Sequence, residues 1–570
     1  MASEPQKDNK RLLIVGGYGA FGGRLAEMLL HRPRLTIFIA GRSIERAKRY
    51  CESQQTKAQL VPALFDRTED NAGLIEQLTH IAPDIVVDAS GPFQTYGDDP
   101  YALISACVDL GINYLDLADS ADFVLGIARF NDRAVAKGLF VISGASTLPA
   151  LSGAVLRELT KDMSRLDRLY EGIAPSPHAL MGESVVRAVA SYAGQPLTLR
   201  RDGKESIAAG LTESKCFTIA PPGKRPLLSR RFSLAEGPDL RLMAQRYPEL
   251  SSTWVGAGTL PEILHLLLNA LAKLVSHGGL PKLDSLAPLM HRVMQTVRWG
   301  EHRGGMFVLI EGLDQSGYAV ANSWHLIAEG DDGPYIPSMA AQILVSNTLN
   351  GSAPKPGARA ADEAILLTDF YGLFSERKIT HGTRCENIYP QDPPPYAAVL
   401  GNAISTLPTQ VVDLHTFEGA LHMEGDSHVE RSTHWLARFV GWVMRFPAAG
   451  ANIPTRVKIT RTKGIETWQR HFGEDHFQSE HSLGRKRYQH LVVERFGLLR
   501  FGLALTVADN ELHMELQRWS AMHIPLPRLF APKIVAREGV KEALFAFHVE
   551  ISLPLVGQIV SYRGQLAPRQ

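Results

Sequence analysis

The chain has 570 residues, of which 45% are apolar and 21% charged, the composition of ordinary globular domains. This length accommodates roughly two to four domains. The chain has 60 lysine and arginine residues and 59 aspartate and glutamate residues. Its net charge is therefore close to zero and does not indicate nucleic acid as a partner.

The cysteines and the N-terminus indicate a reducing compartment. The four cysteines are scattered without CxxC or CxxH spacing, which argues against a disulfide framework and a zinc site. The N-terminus is polar and lacks the apolar core of a signal peptide. No run reaches the ~18 uncharged apolar residues that a membrane-spanning helix needs. We therefore expect a soluble cytoplasmic protein without a transmembrane segment.

The first predicted element is a strand that ends at Val15 and continues directly into a cluster of glycines. Its apolar run, residues 12–15, has the length of a strand buried on both faces. Residues 24–31 follow with apolar side chains at helical spacing. The stretch between them fits the pattern GxGxxG: Gly17, Tyr18, Gly19, Ala20, Phe21 and Gly22. Strand, glycine turn and helix together favour a dinucleotide-binding loop over a merely structural turn.

Each glycine of the pattern has an expected role. Gly17 permits the tight turn, Gly19 lets the backbone approach a pyrophosphate, and Gly22 lets the helix pack close to the strand. The start of the helix then offers free N–H groups and a partial positive charge to the phosphates.

The second strand, residues 35–40, indicates which dinucleotide is bound. It leads into Gly41, Arg42 and Ser43, and no acidic residue lies between Thr36 and Ser43. An acidic residue at this place grips the ribose hydroxyls of NAD, whereas a guanidinium suits a 2′-phosphate. The sequence therefore favours NADP(H) over NAD(H).

Strands and helices continue to alternate as far as residue 142. Strands are expected at 59–64, 85–89, 114–117 and 139–142, and helices at 71–80, 100–110 and 123–137. Asp66, just after the third strand, is placed to meet the adenine edge. Six strands alternating with helices predict a doubly wound parallel sheet of the Rossmann type.

Ligands of such sheets bind at the carboxyl ends of the strands. The segment after the fourth strand is therefore expected beside the nicotinamide; it contains Ser90, Gly91, Pro92 and Phe93. Phe93 and Tyr96 either wall the nicotinamide ring or pack locally. Tyr96 and Asp116 are the candidates for proton relay or substrate orientation, with Asp119 near the same rim. The alternative is that Asp116 is structural and that substrate or solvent handles the proton.

At this point the chain resembles the saccharopine dehydrogenase-like oxidoreductases. The motifs that carry the resemblance are GGYGAFG, AGR, DASGPFQTYG, YLDLAD and GASTLPALSG, followed by the segment 303–341 with its Gly-Pro-Tyr-Ile-Pro turn. The resemblance covers roughly residues 10–360. It implies a Rossmann NADP-binding domain, 10–160, interrupted by an α+β substrate or dimerisation domain, 161–360.

The resemblance also implies NAD(P)H chemistry on C=N bonds or on C=C bonds of lipid intermediates. The matching motifs belong to the cofactor site, and no substrate-gripping motif for an amino-diacid is present.

Two segments of the middle region have recognisable patterns. Residues 259–279 predict a strongly apolar helix, either a core or dimer helix or, alternatively, a lipid-facing surface or acyl-chain channel. Asp314, Gln315, Ser316 and Gly317 are typical of the turn of a hairpin.

The pattern of apolar residues changes near residue 396. Gly and Pro residues predict a linker at 361–395, and period-two segments predict a β-rich domain at 396–570. This domain resembles an uncharacterised domain of unknown function attached to such reductases, on the stretches YAAVLGNAISTLP, ETWQRHFG and PLVGQIVSYRGQL. Sheets with alternating faces often wrap an apolar ligand. Six of its histidines have no metal-ligand spacing and are expected to be scattered on the surface: His415, His422, His428, His471, His476 and His481.

The leading functional hypothesis is an NADPH-dependent oxidoreductase that transfers a hydride to or from a C=O, C=N or C=C bond of a small molecule. A lipid-like substrate is one form of this hypothesis. The alternative is an NADP(H)-sensing or lipid-binding protein with a non-catalytic Rossmann domain. A third hypothesis is an enzymatic C-terminal domain that the reductase domain regulates. The expected partners are a small-molecule substrate, a second copy of the chain in a homodimer, and peripheral lipid, with no nucleic acid and no metal.

Overall fold

The computed structural model describes residues 9–179, 182–259, 261–387 and 392–569. The contacts between residues divide the chain into two compact units, one of Met1–Cys216 with Arg231–Thr380 and one of Phe217–Arg230 with His381–Gln570. Among the described residues, no helix is both long enough and apolar enough to cross a membrane.

Strands and helices alternate through the first 160 residues, which confirms the predicted α/β organisation. The strands are β1 Lys10–Val15, β2 Leu35–Gly41, β3 Gln59–Leu64, β4 Ile85–Asp88, β5 Asn113–Asp116 and β6 Phe140–Ser143. The helices are α1 Ala20–Leu29, α2 Ile44–Glu52, α3 Asn71–Ile81, α4 Ala102–Leu110, α5 Ala121–Gly126, α6 Asn131–Ala136 and α7 Ser152–Leu159. The helix predicted over 123–137 is divided into α5 and α6 by a short 3₁₀ turn, Ile127–Phe130.

The segment that follows is an α+β region, as predicted. Its strands are β7 Met163–Ala174, β8 Pro196–Arg201, β9 Lys204–Ala209, β10 Ser214–Ile219, β11 Leu227–Leu234, β12 Ser252–Ala257, β13 Arg303–Asp314 and β14 Ala319–Glu329. Its helices are α8 Glu183–Tyr192, α9 Asp239–Arg246, α10 Glu262–Ser276 and α11 Ala287–Thr296. The predicted hairpin is present, with β13 and β14 paired antiparallel on either side of the turn at 315–318.

The next elements are α12 Ile336–Leu349, β15 Gly357–Ala360, α13 Leu367–Ser375 and β16 Ile379–Asn387. The first sheet contains β1–β6 and β15 in the order β15-β6-β5-β4-β1-β2-β3. All of its pairings are parallel. The chain therefore returns after the α+β region to add a seventh strand beside β6. A second, mixed sheet has the order β10-β11-β12-β7-β13-β14-β16, and β8 and β9 form a separate hairpin.

The first sheet is buried on both faces, as a doubly wound sheet requires. Along β1, Leu12 and Ile14 belong to the apolar cluster on one face, whereas Leu13 and Val15 belong to the cluster on the other. Both layers of helices hold the sheet rigid, so the loops at its carboxyl edge start from fixed positions.

Two stretches differ from expectation. Helix α10 matches the predicted helix, but only His265, Ala272 and Val275 in it are buried, so it is not a core helix in this chain. The interpretations of α10 as a dimer helix or as a lipid-facing surface or acyl-chain channel stay predictions. Within the stretch predicted as a linker, α13 buries Phe370 and Phe374 completely, so residues 361–387 are folded; residues 388–391 lie outside the described chain.

The C-terminal unit is a closed antiparallel barrel. Its strands are β17 Ala420–Arg431, β18 Gly450–Thr462, β19 Ile465–Phe472, β20 Asp475–Leu483, β21 Val492–Phe496, β22 Leu499–Ala508, β23 Glu511–Ala521, β24 Ile524–Pro525, β25 Lys533–Lys541, β26 Leu544–Leu553 and β27 Gly557–Pro568. The helices are α14 Pro395–Leu400, α15 Thr409–Thr416 and α16 Trp435–Val443. The sheet order begins at β22 and ends at β23 and β24, and an additional pairing of β22 with β23 closes the ring. Side chains of alternate residues therefore point into the barrel.

Candidate functional site

The glycine-rich turn is built by backbone contacts that side chains would prevent. The N–H groups of Gly16 and Gly17 donate to the carbonyl oxygen of Ala40 at 2.9 and 3.0 Å, which ties the turn to β2. A Cβ at Gly17 would lie 2.8 Å from the carbonyl oxygen of Ile14. A Cβ at Gly22 would collide with the carbonyl oxygen of Gly16. The turn and the close approach of α1 to β1 therefore both need glycine.

Helix α1 begins at Ala20 with Gly19 at its N-cap, and no side chain from the described residues caps it. The N–H of Gly23 makes the first helical hydrogen bond, to the carbonyl oxygen of Gly19 at 3.0 Å. The N–H groups of Ala20, Phe21 and Gly22 have no backbone acceptor in the described part of the chain. These three donors and the positive end of the helix dipole form an anion-binding turn.

The end of β2 lies against the same turn. The hydroxyl oxygen of Tyr18 accepts the N–H of Ser43 at 3.1 Å, and a Cβ at Gly41 would lie 2.5 Å from that oxygen. Ser43 caps α2 by accepting the N–H of Arg46, whose guanidinium lies over the ring of Tyr18, 4.8 Å from its centroid. Arg42 is exposed and makes no ion pair with the described residues. Its guanidinium is thus available beside the glycine turn for a phosphate group.

Asp66 follows β3 and is already engaged in a turn. Its Oδ1 accepts the N–H and the hydroxyl of Thr68 at 2.9 and 2.7 Å. Burial raises the pKa of Asp66, but these bonds and the charges of Arg42 and Arg67 outweigh it and lower the pKa overall. The carboxylate is therefore ionised, and its predicted contact with the adenine edge stays a prediction.

A buried polar group follows β4. Ser90 donates its N–H and hydroxyl to Oδ1 of Asp88 at 3.0 and 2.6 Å, and Tyr96 donates to Oδ2 of Asp88 at 3.2 Å. The guanidinium of Arg67 lies 3.3 Å from the ring centroid of Tyr96, and its Nε lies 3.4 Å from Oδ2 of Asp88. Burial and then the charge of Asp88 raise the pKa of Tyr96 well above its ordinary value, so its phenol stays protonated.

The ring of Phe93 packs locally. Only 6% of Phe93 is exposed, and its centroid lies 4.7 Å from that of Tyr96 and 5.1 Å from that of Phe123. Of the two interpretations of Phe93, this geometry agrees with local packing. Gly91 and Pro92, which precede it, are joined by a cis peptide bond.

Asp116 lies at the end of β5 and is fully buried. Its Oδ1 accepts the N–H groups of Ala118 and Gly144 at 3.0 and 2.7 Å and the hydroxyl of Ser143 at 2.9 Å. Burial raises the pKa of Asp116 to about 7 in spite of these three bonds. The bonds connect the loops after β5 and β6, which favours the structural alternative for this residue.

A second pair of carboxyl groups lies at the same edge of the sheet, and sequence reasoning did not identify it as a pair. Gln94 donates to Oδ1 of Asp119 at 3.1 Å and also lies beside Glu236, which follows β11. Desolvation and then the charge of Asp119 raise the pKa of Glu236 to about 7. Partial desolvation also raises the pKa of Asp119, whose residue as a whole is exposed at the surface. Nothing in the sequence around Glu236 has the form of a motif; only the fold brings it to Asp119.

The barrel holds two buried histidines that were expected on the surface. His415 is fully buried and its Nε2 lies 2.6 Å from Oε2 of Glu538. His481 is 2% exposed and its Nε2 lies 3.1 Å from Oε1 of Glu494. The expectation is therefore wrong for these two: His415 lies on the buried face of helix α15, and the alternation of β20 turns His481 to the inside of the barrel.

The turn before α1 fits a dinucleotide phosphate. Three unbonded N–H groups point from one helix start, and an exposed guanidinium follows the neighbouring strand, where NADP carries its additional phosphate.

Two family models match the chain. Residues 12–152 match the saccharopine dehydrogenase NADP binding domain, and residues 407–566 match a domain of unknown function (DUF4166). These matches confirm the resemblance of both regions, and residues 12–152 constitute an NADP-binding domain. The first match ends before the α+β region, so the resemblance of residues 303–341 to the same family stays a prediction.

Dehydrogenases and reductases are among the solved structures that match part of this chain. A meso-dapdh mutant with DAP from Clostridium tetani E88 is 14% identical, covers 64% of this chain and 98% of its own, and has a TM-score of 0.31. A probable dehydrogenase from Thermotoga maritima is 10% identical, covers 65% and 98%, and has a TM-score of 0.31. A biliverdin reductase from Synechocystis sp. PCC 6803 with biliverdin and NADP+ is 10% identical, covers 60% and 92%, and has a TM-score of 0.29. No curated protein matches the chain. These likenesses are too distant to indicate a substrate.

Proposed function

We propose that this protein is an NADPH-dependent oxidoreductase that transfers a hydride between nicotinamide and a C=O, C=N or C=C bond of a small molecule. The observation that carries the proposal is the pairing of an NADP-binding turn with two carboxyl groups of raised pKa at the same edge of the sheet. The turn would bind the cofactor that carries the hydride, and one of the carboxyl groups would donate the proton.

The cofactor is held by the chain's own donors. The N–H groups of Ala20, Phe21 and Gly22 would bind the pyrophosphate, and Arg42 would bind the 2′-phosphate that distinguishes NADPH from NADH. NADPH supplies the hydride when bound, and the protein orients it and excludes water.

Asp119 and Glu236 are our candidates for the proton. Reduction of a C=O or C=N bond adds a hydride to carbon and needs a proton for the oxygen or nitrogen. A carboxyl group with a pKa of about 7, as in Glu236, is half protonated near neutral pH and can both donate and accept. Gln94 donates to Asp119 and lies beside Glu236. Tyr96 and Asp116 remain candidates as positioning residues, because their polar atoms bond to neighbouring protein groups.

The first experiment measures NADPH and NADH binding to the full chain by calorimetry, with Arg42→Ala as the variant. Arg49→Ala, an exposed arginine on the next helix, is the matched control. Loss of a charge-assisted phosphate contact of 1.5–3 kcal/mol predicts a decrease in NADPH affinity of about tenfold or more, with NADH affinity unchanged. Wild-type protein that binds neither nucleotide at millimolar concentration would contradict the proposal.

The second experiment tests turnover. Wild-type protein is given NADPH and a panel of ketones, cyclic imines and enones, and the loss of NADPH absorbance is followed. For any substrate found, Glu236→Gln is expected to slow turnover by about 10²-fold or more without changing NADPH affinity. Glu205→Gln, an exposed acid on β9, is the control. Tight NADPH binding with no turnover on the whole panel would favour the sensing alternative instead.

A further inference from the structure

The inside of the barrel contains a cavity of about 180 Å³. This is larger than the ~150 Å³ apolar cavities that accept benzene. Most of its lining is aliphatic or aromatic, including Phe477, Phe501, Leu503, Ile534 and Val549. Its charged and hydroxyl-bearing or imidazole side chains are Tyr396, Arg470, His481, Glu494, Glu538 and Tyr562. The cavity is therefore amphipathic, with an extended apolar wall and one group of charged side chains.

Both carboxylates of the lining already have an imidazole partner. The Nδ1 of His481 lies 2.8 Å from the hydroxyl oxygen of Tyr396, within hydrogen-bond distance. Its Nε2 lies 3.1 Å from Oε1 of Glu494. Burial would raise the pKa of Glu494, but the charge and hydrogen bond of His481, the charge of Arg470 and a hydrogen bond with Ser479 outweigh it and lower the pKa to about 2. Glu538 is paired in the same manner with His415, whose ring stacks on that of Tyr396 at 3.9 Å.

Arg470 has no such partner. Its guanidinium donates one hydrogen bond, to the hydroxyl of Ser479 at 2.9 Å, and lies 4.9 Å from the ring centroid of Trp468. Among the described residues no carboxylate lies within 4 Å of it. The guanidinium always carries its charge, and this charge acts on Glu494, which is itself hydrogen-bonded to His481. The side chain therefore presents to the cavity a positive charge to which no carboxylate of the described residues is bonded.

One end of the barrel is lined with exposed apolar side chains. Helix α16, between β17 and β18, places Val440 in the lining of the cavity and leaves Phe439 and Trp442 55% and 75% exposed. The turns between β21 and β22 and between β26 and β27 belong to the same end and carry exposed Leu498 and Leu555. An apolar molecule that enters here meets apolar surface from the rim inward.

We propose that the barrel binds a molecule with an apolar body and a single carboxylate head. The head pairs with Arg470, and the body lies along the apolar wall toward the α16 end. The carboxylate class follows from the contacts above: each acidic side chain of the lining is bonded to an imidazole, and no acidic side chain of the described residues is bonded to the guanidinium. This site is separate from the proposed NADPH site, so the inference goes beyond the proposed reductase and does not depend on it.

The test compares decanoate with 1-decanol, which has the same chain and no charge, by titration calorimetry of the full-length protein without nucleotide. Decanoate is expected to bind about tenfold or more tightly than decanol, which corresponds to ~1.4 kcal/mol or more for the head group. Arg470→Met, which keeps the length of the side chain, is expected to abolish this preference and to leave decanol affinity within about twofold. Arg456→Met, on the outside of the adjacent strand β18, is the matched control and is expected to bind as wild type.

A second variant tests the apolar wall. Ala536 lies in the lining, and Ala536→Phe would fill part of the cavity and weaken both ligands by about tenfold. Circular dichroism identifies a variant that fails to fold, and in that case the comparison of decanoate with decanol on wild-type protein decides alone. No binding of either ligand to wild type, or equal affinity for both, would overturn the proposal. A decanoate preference that survives Arg470→Met would overturn the assignment of the head-group site.

Discussion

Replacing Glu236 by Gln is expected to stabilise the protein at high pH and to leave it unchanged at low pH. In the folded chain the carboxyl holds its proton up to about pH 7, because burial and the neighbouring charge of Asp119 disfavour the anion. In the unfolded chain it ionises at its ordinary value of 4.5. Unfolding therefore releases a proton between these two values, so the free energy of unfolding of the wild type falls as pH rises from 4.5 to 7.

The magnitude follows from the difference of about 2.5 pKa units, each equivalent to 1.36 kcal/mol. The wild type thus loses about 3 kcal/mol across this window, and a neutral glutamine does not. We expect Glu236→Gln to be about as stable as wild type at pH 4.5 and about 3 kcal/mol more stable at pH 8.

The measurement is urea unfolding of both proteins at the two pH values, followed by circular dichroism. The exposed Glu205→Gln serves as the control and is expected to show no pH-dependent gain. A stability difference between Glu236→Gln and wild type that is the same at pH 4.5 and pH 8 would refute the reasoning, because a raised pKa requires the difference to grow with pH.

Three further predictions concern the fold around the two sites. Asp116→Ala is expected to cost about 3 kcal/mol or more in urea unfolding, because it leaves three buried donors without an acceptor, and Asp116→Asn to restore most of that loss. Gly22→Ala is expected to abolish NADPH binding in calorimetry because its Cβ meets a backbone oxygen, whereas Gly23→Ala, whose Cβ meets only a tyrosine ring at 3.2 Å, is expected to bind within about threefold of wild type. Arg461→Met is expected to cost ~3–5 kcal/mol in urea unfolding, because the fully buried Glu466 loses its ion-pair partner, which lies at 2.9 Å. An equal loss of stability in the double variant Arg461→Met/Glu466→Met would contradict that explanation.

Local patterns were sufficient to predict the N-terminal sheet and its cofactor turn. The apolar run before Gly16 and the helical spacing after Gly22 are properties of neighbouring residues, so β1 and α1 follow directly from the sequence. The hairpin of β13 and β14 is equally local, because Asp314 and Gly317 form its turn. The confirmed elements are those whose hydrogen bonds and apolar spacing involve residues that are close together in the sequence.

The carboxyl pair and the barrel polar group could not be predicted in that way. Asp119 and Glu236 are brought together by the packing of the α+β region on the first sheet, and no spacing in the sequence records that distance. His481 meets Glu494 because β20 and β21 pair in a register that places these two residues opposite each other. A shift of β21 by one residue would turn Glu494 to the outer face of the barrel and leave His481 without it.

Asp88 and Glu494 differ from Glu236 in how the fold accommodates the charge of the carboxyl group. Asp88 and Glu494 accept bonds from neighbouring hydroxyl, guanidinium or imidazole groups, so the fold compensates the burial of their charge. Glu236 has a like-charged neighbour instead, and its raised pKa means that an uncharged residue would be more stable there at neutral pH. A destabilising group at the carboxyl edge of a cofactor-binding sheet is typical of a residue kept for chemistry. If Glu236→Gln is more stable at pH 8 and also loses turnover, the two effects come from one carboxyl group, and any substrate that the enzyme turns over is sufficient to identify the proton donor.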